Sequence, residues 1–253
     1  MNMIHQGMET ESMIGLGTII NASAIVAGGV LGRLFGRFLT ERYQDTLNKA
    51  CGVSVLFIGI AGALEGMLSV RDGGIVSGRS MLIVACLTLG ALLGEWIDLE
   101  DRLERFGEWL KVKTGNSGER GFVDGFVTAS LTVCIGAMAI VGAIEDGIFG
   151  DYSILATKAV LDLIIIMVMS CAMGKGCAFS AIPVVILQGS VTLLARLIRP
   201  VMTDAALANL SLIGSILIFC VGLNLVWGHK IRVANLLPAI VIAVISAFLP
   251  LGI

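Results

Sequence analysis

Residues 158–169 have the sequence KAVLDLIIIMVM, in which one aspartate, Asp162, lies in the middle of an apolar run. The run belongs to an apolar stretch, residues 153–173, long enough at about 1.5 Å per residue to cross a hydrocarbon core of about 30 Å. A carboxylate near the bilayer centre costs about 2.5–3.5 kcal/mol on insertion-based scales, and such residues normally face a bundle interior. The stretch therefore predicts a membrane-spanning helix that carries a buried titratable group.

The rest of the chain has the same apolar character. Of its 253 residues, 57% are hydrophobic and 14% are charged, and the mean hydropathy is +0.95, which is outside the range of soluble domains. Membrane strands would alternate polar and apolar residues over about ten positions, and this sequence does not. We predict an all-α fold, a polytopic transmembrane helix bundle forming one integral domain over residues 1–253, with membrane lipid around it.

Apolar windows between polar breaks predict seven or eight membrane spans. The eight candidates are residues 14–38, 50–69, 80–98, 122–145, 153–173, 177–200, 208–228 and 231–251. Residues 1–13 are expected to be a short polar tail without the cationic leader of a signal peptide. In residues 97–113, leucine and phenylalanine recur at helical spacing opposite charged residues, which predicts an amphipathic helix at the membrane surface.

Lysine and arginine set the orientation of the spans. With the N-terminus outside, twelve of the 17 lysines and arginines fall in inner loops. The count is the same if residues 177–200 do not cross, so charge does not distinguish seven spans from eight. The length of residues 177–200, which is sufficient to cross the membrane, favours eight spans.

Weak internal similarity suggests a duplication. Residues 19–37 and 185–199 each place an amide side chain before a small residue and end in basic residues, and residues 53–66 resemble residues 131–147. With eight spans, the three-span units 14–98 and 177–251 would form an inverted-topology repeat around two middle spans in residues 122–173. Secondary transporters use such repeats. The alternative is that glycine-rich apolar helices look alike without common origin.

Glycine is the second strong signal, with 32 residues in the chain. Several recur at four-residue spacing within spans: Gly28, Gly32 and Gly36, Gly62 and Gly66, and Gly90 and Gly94. Small residues at this spacing let helix backbones approach closely in lipid. Two interpretations remain open, namely packing within the chain and a sliding or oligomeric interface, such as a homodimer formed through the glycine faces.

The candidate site is centred on Asp162. Lys158 lies four residues earlier, on the same helix face, and can pair with it. Other polar residues placed deep in spans complete the candidate binding set: Asn21, Ser180, Gln188 and Asn224. One carboxylate with amides and hydroxyls suits a proton, a hard cation or a small polar solute. The alternative is a structural ion pair with helix-to-helix hydrogen bonds around it.

The remaining polar residues argue against several function classes. Glu65, Glu145 and Asp146 are expected to be solvated helix ends rather than an acidic vestibule. The six cysteines and two histidines show no metal or redox spacing, and no catalytic or phosphate-binding motif is present. We therefore expect no enzyme activity, no cofactor and no metal. A net charge of −2 with no basic aromatic segment argues against nucleic-acid binding.

Four stretches carry a family resemblance. They are GTIINASAIVAGGVLG (17–32), GFVTASLTVCIGAMAIVGAIEDGIFGD (125–151), KAVLDLIIIMVMSCAMGKGCAFSAIPVVILQGSVTLLA (158–195) and IRVANLLPAIVIA (231–243). The chain resembles the YqgA/YdfK-like family of bacterial inner-membrane proteins, a family of unknown function, from about Gly15 to Ala247. The resemblance implies a multi-pass protein of the bacterial inner membrane. Its recurrent residues fall here on Asn21, Asp162, Ser180, Gln188, Gly189 and Asn235.

Three functions are consistent with this sequence. The first is a gradient-coupled transporter of an unknown small solute or ion, in which Asp162 binds the coupling proton or cation. The second is an ion channel, although no span carries a series of voltage-sensing arginines. The third is a non-transporting scaffold or assembly factor that uses the glycine faces.

Overall fold

The computed structural model describes residues 14–71, 73–119 and 121–249 of the chain. The first six helices are α1 (Leu16–Gly36), α2 (Glu41–Met67), α3 (Ser80–Ile97), α4 (Leu99–Lys113), α5 (Phe122–Cys134) and α6 (Ala137–Phe149). The remaining helices are α7 (Ser153–Met173), α8 (Ala181–Leu193), α9 (Ala195–Ile198), α10 (Asp204–Trp227) and α11 (Pro238–Ser246). The 3₁₀ turns Lys175–Ser180 and Val233–Leu236 lead into α8 and α11, and strands β1 (Leu68–Arg71) and β2 (Gly74–Ser77) form an antiparallel hairpin. The predicted all-α bundle is confirmed.

Within the described residues, six helical segments are long and apolar enough to cross a membrane, and the bent pair α5–α6 would make a seventh. The six are α1, α2, α3, α7, α8 together with its 3₁₀ turn, and α10. The eighth candidate, residues 231–251, is shorter than expected. Its apolar helical part, Val233–Ser246, reaches about 21 Å at the α-helical rise, which is less than a hydrocarbon core of about 30 Å.

The span predicted at residues 122–145 is not one straight helix. α5 ends at Cys134, α6 begins at Ala137, and the two helices are bent by 63°. Gly136 lies at the break with φ 146° and ψ 149°, a conformation open to glycine and strained for other residues. Hydropathy does not change at the break, which is why the apolar pattern predicted a continuous span.

The glycine faces pack helices within the chain. Gly28, Gly32 and Gly36 lie against α7, while Gly52, Gly59, Gly62 and Gly66 lie against α10. A methyl group added at Gly28 would be 2.5 Å from the Leu163 carbonyl oxygen, and one added at Gly59 would be 2.5 Å from the Phe219 backbone nitrogen. The close-packing interpretation accounts for these faces, and the homodimer stays a prediction.

Three helix pairs join the predicted N-terminal and C-terminal units in antiparallel fashion. Asn21 of α1 contacts Gln188 of α8, while Gly29 lies against Ala178, so residue numbers rise on α1 as they fall on its partner. α2 pairs with α10 in the same way, from Gly52 opposite Val226 to Gly66 opposite Leu212. α3 pairs similarly with α11 and its 3₁₀ turn. An inverted repeat requires such antiparallel pairs; the duplication itself stays a prediction.

One end of the bundle collects the basic residues, and we call it the basic end. Arg33 and Lys175, both predicted on the inner side, meet at Glu119, with N···O distances of 3.5 and 3.6 Å. The amphipathic helix α4 lies at this end, with the Phe106 ring centroid 5.9 Å from that of Phe126 in α5. The predicted amphipathic helix is thus confirmed, and α4 is anchored to the bundle through its apolar face.

Candidate functional site

The candidate site is built around an ion pair on α7. Lys158 and Asp162 are one helical turn apart, and the Lys158 ammonium donates to the Asp162 carboxylate. Both side chains are buried, with relative exposures of 6% for Lys158 and 4% for Asp162. α7 runs from the end opposite the basic end to the basic end itself, so the pair lies near the middle of the bundle.

α7 has a defined start next to a short polar loop. The Asp151 carboxylate accepts a hydrogen bond of 2.9 Å from the Ser153 backbone N–H and another from the Ser153 hydroxyl. These hydrogen bonds hold the pKa of the Asp151 carboxyl below its usual range. These hydrogen bonds anchor the first turn of α7, nine residues before Asp162.

An amide pair lies beside the ion pair. The Asn21 side chain of α1 donates a hydrogen bond of 3.2 Å to the Gln188 Oε1 of α8, and both residues are fully buried. The Asn21 amide also neighbours the Asp162 carboxylate. Asn21 Oδ1 and Gln188 Nε2 have no hydrogen-bond partner within the protein. Buried polar atoms usually have a partner, so this pair retains capacity for a water molecule or a ligand.

The break between α5 and α6 is next to the same ion pair. Both α5 and α6 pack against α7, and Gly142 of α6 lies against Leu155, one turn before Lys158. α6 begins without a side-chain cap, so its first backbone N–H groups depend on other partners. Half-helix ends of this kind bring backbone dipoles to the middle of a membrane bundle.

Two buried threonines extend the site toward the end opposite the basic end, and sequence reasoning missed their role. Thr18 lies one turn before Asn21 on α1, and Thr192 lies one turn after Gln188 on α8. Each is 5% exposed or less, and its hydroxyl has no hydrogen-bond partner. The available signal was spacing, since i,i+3 and i,i+4 positions share a helix face.

Asp146 completes this polar row, and its predicted solvation is wrong. It is fully buried, and its Oδ1 accepts a 3.3 Å hydrogen bond from the Gly15 backbone N–H at the start of α1. A carboxylate at a helix N-terminus satisfies free N–H groups and complements the helix dipole. Asp146 therefore acts as a cap supplied by α6 to α1, and its Oδ2 has no partner within the protein.

Two predicted site residues are used elsewhere. Asn224 lies at the C-terminal end of α10, where its Oδ1 accepts from the backbone N–H groups of Lys230 and Ile231 and its amide donates to the Ile231 carbonyl. The prediction that Asn224 belongs to the Asp162 site is therefore wrong, because its side chain is bonded to the loop that follows α10. The Ser180 hydroxyl is buried and donates 2.7 Å to the Cys177 carbonyl in its own 3₁₀ turn.

Residues 16–248 match the family described as "Protein of unknown function (DUF554)". The chain belongs to the DUF554 family. It is 30% identical to "Uncharacterized membrane protein YdfK" of Bacillus subtilis over 232 residues, which cover 92% of this chain and 95% of YdfK. It is 31% identical to "Uncharacterized protein YqgA" of Escherichia coli, with coverage of 90% and 94%. No solved structure matches this DUF554 chain.

The basic end of this DUF554 protein has a pocket of about 510 Å³. Arg33, Glu119 and Lys175 line it together with the last residues of α7. Cys171 of α7 is one of the residues that line the pocket. Asp162 lies nine residues before it, which is about 14 Å along the helix. The pocket thus lies at one end of α7, and the polar row with Thr18 and Thr192 lies on the other side of Asp162.

A second polar cluster at the basic end was also missed by sequence reasoning. Glu100 of α4 is 3% exposed and lies beside His229, in the loop that follows α10. Burial raises the pKa of the Glu100 carboxyl, whereas the hydrogen bond from the Ala234 N–H and the charge of His229 lower it. The amphipathic pattern of α4 placed Glu100 on the solvent side. The chain after α10 folds back over that side and buries it.

Proposed function

We propose that this DUF554 protein is a gradient-coupled transporter of a small solute or ion in the bacterial inner membrane. The observation that carries the proposal is the buried Lys158–Asp162 pair, which neighbours the Asn21–Gln188 amides on a helix that packs against both halves of the broken α5–α6 helix. A carboxylate at this depth is costly, and such residues typically mark ion pathways or proton relays. Packing alone is satisfied by aliphatic side chains at lower cost.

In this proposal Asp162 binds the coupling proton or cation, and the Lys158 ammonium competes with that ion for the Asp162 carboxylate. Any cation that reaches the Asp162 carboxylate must displace the Lys158 ammonium, because the two side chains already form a buried pair. The site then alternates between a lysine-occupied and a cation-occupied state, and in the second state the Lys158 ammonium turns to the unpartnered oxygens of the polar row, such as Asn21 Oδ1, so that neither charge is buried without a partner. The nearby oxygens of Asn21 and Gln188 supply neutral ligands that suit a proton carrier or a hard cation.

The polar row supplies the access route on the side opposite the basic end. Asp146 contacts the start of α1, Thr18 and Thr192 follow at the next level, and Asn21 leads to Asp162. This row contains oxygen atoms that have no hydrogen-bond partner within the protein and can pass a proton or a partly hydrated cation inward. They belong to Asp146, Thr18, Thr192 and Asn21. The pocket lined by Arg33, Glu119 and Lys175 supplies the opening at the basic end.

The broken helix is the element that moves. Between Cys134 and Gly136 the helix is interrupted where it packs on α7, and discontinuous helices near the midplane are typical of secondary transporters. Rotation of α6 about Gly136 would change the exposure of Asp162 toward the end opposite the basic end while α5 stays packed. This motion converts occupancy of Asp162 into alternating access.

The test is transport by purified protein in liposomes. Currents on a solid-supported membrane are recorded under imposed proton or sodium gradients, with pooled candidate solutes, for wild type and Asp162→Asn. The matched control is Asp45→Asn, which removes the carboxylate of an exposed Asp–Lys pair with the same four-residue spacing, Asp45 with Lys49. We expect a solute-dependent current in wild type and Asp45→Asn and its loss in Asp162→Asn.

Other outcomes separate the competing functions. Equal currents in wild type and Asp162→Asn would refute the role of Asp162 in coupling. Unitary conductance steps that need no solute gradient would instead identify a channel. Correctly inserted wild-type protein that moves no ion or solute, in electrical and in isotope-exchange assays alike, would favour the scaffold function.

A further inference from the structure

The second polar cluster, at the basic end, has the chemistry of a metal site. The two oxygens of the Glu100 carboxylate have different roles there. Oε2 accepts a 2.8 Å hydrogen bond from the Ala234 backbone N–H, and the Glu100 N–H in turn donates 2.8 Å to Asn235 Oδ1. These two bonds clamp the start of α4 to the 3₁₀ turn before α11. The carboxylate is therefore held in one orientation, with Oε1 directed away from the clamp.

Glu100 Oε1 is the unusual atom of this cluster. It is buried and has no hydrogen-bond partner, although His229 Nε2 is only 2.7 Å away. The two atoms approach without the alignment of an N–H···O hydrogen bond. Glu104 follows one turn later on α4, and one donor atom from each of Glu100, Glu104 and His229 lies within 4.8 Å of the others. Three donors thus surround a common point.

The charge balance at this point is negative. Nearby arginines are engaged elsewhere: Arg232 pairs with Glu95 at 2.8 Å, Arg105 pairs with Asp101, and Arg102 donates to the Ile97 carbonyl. Two carboxylates are left facing one imidazole. A buried carboxylate oxygen without a partner is costly, and a cation shared by all three side chains removes that cost.

We propose that Glu100, Glu104 and His229 bind one divalent transition-metal cation of the Zn²⁺ class. One imidazole nitrogen and two carboxylate oxygens form a donor set that zinc accepts, whereas Mg²⁺ prefers oxygen ligands with several waters. Three protein donors leave a coordination position open, and the exposed side chains of Glu104 and His229 let the ion exchange with solution at the basic end. The ion ties α4 to the loop between α10 and α11.

No short linear motif marks this site. His229 is 129 residues from Glu100, and only the return of the chain after α10 brings them together. The Asn224 side chain fixes that return by accepting hydrogen bonds from the backbone N–H groups of Lys230 and Ile231, one and two residues beyond His229. Asn224 and Asn235 are thus positioning residues, one holding the histidine loop and the other holding the Glu100 backbone.

The test is equilibrium metal binding by full-length protein in detergent micelles. Protein stripped with EDTA is titrated with ZnCl₂ alone by calorimetry, and metal retained after desalting is counted by mass spectrometry. We expect one equivalent of zinc that a large excess of MgCl₂ does not displace. Removing one ligand should weaken zinc binding by about 100-fold or more, since even outer-shell partners are worth 10–100-fold.

Matched variants make the test specific. His229→Gln and Glu104→Gln remove proposed ligands, and His5→Gln and Glu108→Gln remove the other histidine and an exposed glutamate of α4 that pairs with Lys111. Loss of zinc in the first two variants alone supports the site. Absence of stoichiometric zinc in wild type, or equal binding by all five proteins, would overturn it. Thermal unfolding in EDTA shows that the variants are folded.

Discussion

The clearest test of the Asp162 site is to remove each charge of its ion pair separately and then both charges together. Asp162→Asn leaves the Lys158 ammonium buried without a counterion, and Lys158→Met leaves the Asp162 carboxylate in the same state. The double variant removes both charges. Lys158 is 6% exposed and Asp162 is 4% exposed, so water cannot compensate for either single change.

The expected effects on stability have opposite signs. Breaking a buried pair by removing one partner costs about 3–5 kcal/mol, whereas replacing both partners by neutral groups is often neutral or stabilising by about 1–4 kcal/mol. For a chain of this size, 1 kcal/mol corresponds to about 2–4 °C in Tm. Each single variant should therefore unfold about 6–20 °C lower than wild type. The double variant should unfold near wild type or above it.

The assay uses the cysteines of the chain. Cys51, Cys86 and Cys177 are buried free thiols, so a fluorogenic thiol dye reports unfolding in detergent as they become accessible. Transport currents are then measured for the same four proteins. We expect the double variant to regain the thermal stability of wild type while its solute-dependent current stays absent.

This combination separates a functional pair from a structural one. A double variant that regains both stability and current would refute the assignment of Asp162 as the coupling site, because the pair would then serve packing only. Single variants as stable as wild type would refute a different step, the description of Lys158 and Asp162 as a desolvated pair. The double-mutant cycle gives the interaction energy directly.

Two further predictions concern packing and access. Gly28→Ala should lower Tm because the added methyl would meet the Leu163 carbonyl oxygen at 2.5 Å, whereas Gly189→Ala, with no atom within 4 Å of the added methyl, should leave Tm unchanged or raise it; equal losses would refute the packing of α1 on α7. Thr192→Val removes an unpartnered buried hydroxyl and keeps the side-chain shape, so it should reduce the current at unchanged Tm, with Thr192→Ser restoring it. Normal current in Thr192→Val would exclude this hydroxyl from the access route.

Much of the fold followed from the sequence because lipid imposes simple rules. Apolar stretches of about 20 residues predicted the crossing helices, since every backbone group must be satisfied within the segment. Glycine spacing predicted close packing, and the structure locates it between α1 and α7 and between α2 and α10. The i,i+4 spacing of Lys158 and Asp162 predicted their pairing, and the buried amides of Asn21 and Gln188 were found by depth alone.

The errors share one physical cause. Hydropathy records the solvent preference of a residue and does not record the backbone conformation or its tertiary partners. The break at Gly136 lies inside an unbroken apolar run, and Asp146 is buried because the start of α1 needs a cap. Asn224 was assigned to the site by depth, although its side chain binds the loop after α10 through both its oxygen and its amide nitrogen. Each of these features depends on a contact between distant parts of the chain.

The two polar centres of the molecule differ in charge balance. Asp162 is neutralised by Lys158, so a cation binds there only by displacing an ammonium. Glu100 and Glu104 face one histidine, so a cation adds to that site without displacing any charge. The first arrangement suits an exchange step that must be reversible in every cycle. The second suits an ion that remains bound while the cycle proceeds.

One helix touches the surroundings of both centres. A methyl group added at Gly214 of α10 would lie 3.5 Å from the Ile135 side chain and 4.0 Å from the Gly136 backbone, both at the broken helix. At its other end, α10 holds the loop that carries His229 through Asn224. If zinc at the basic end changes the affinity of Asp162 for its cation, linkage requires that the same cation change the affinity for zinc by the same factor. Any such coupling has α10 as a continuous physical connection, because this helix contacts both the break and the loop that carries His229.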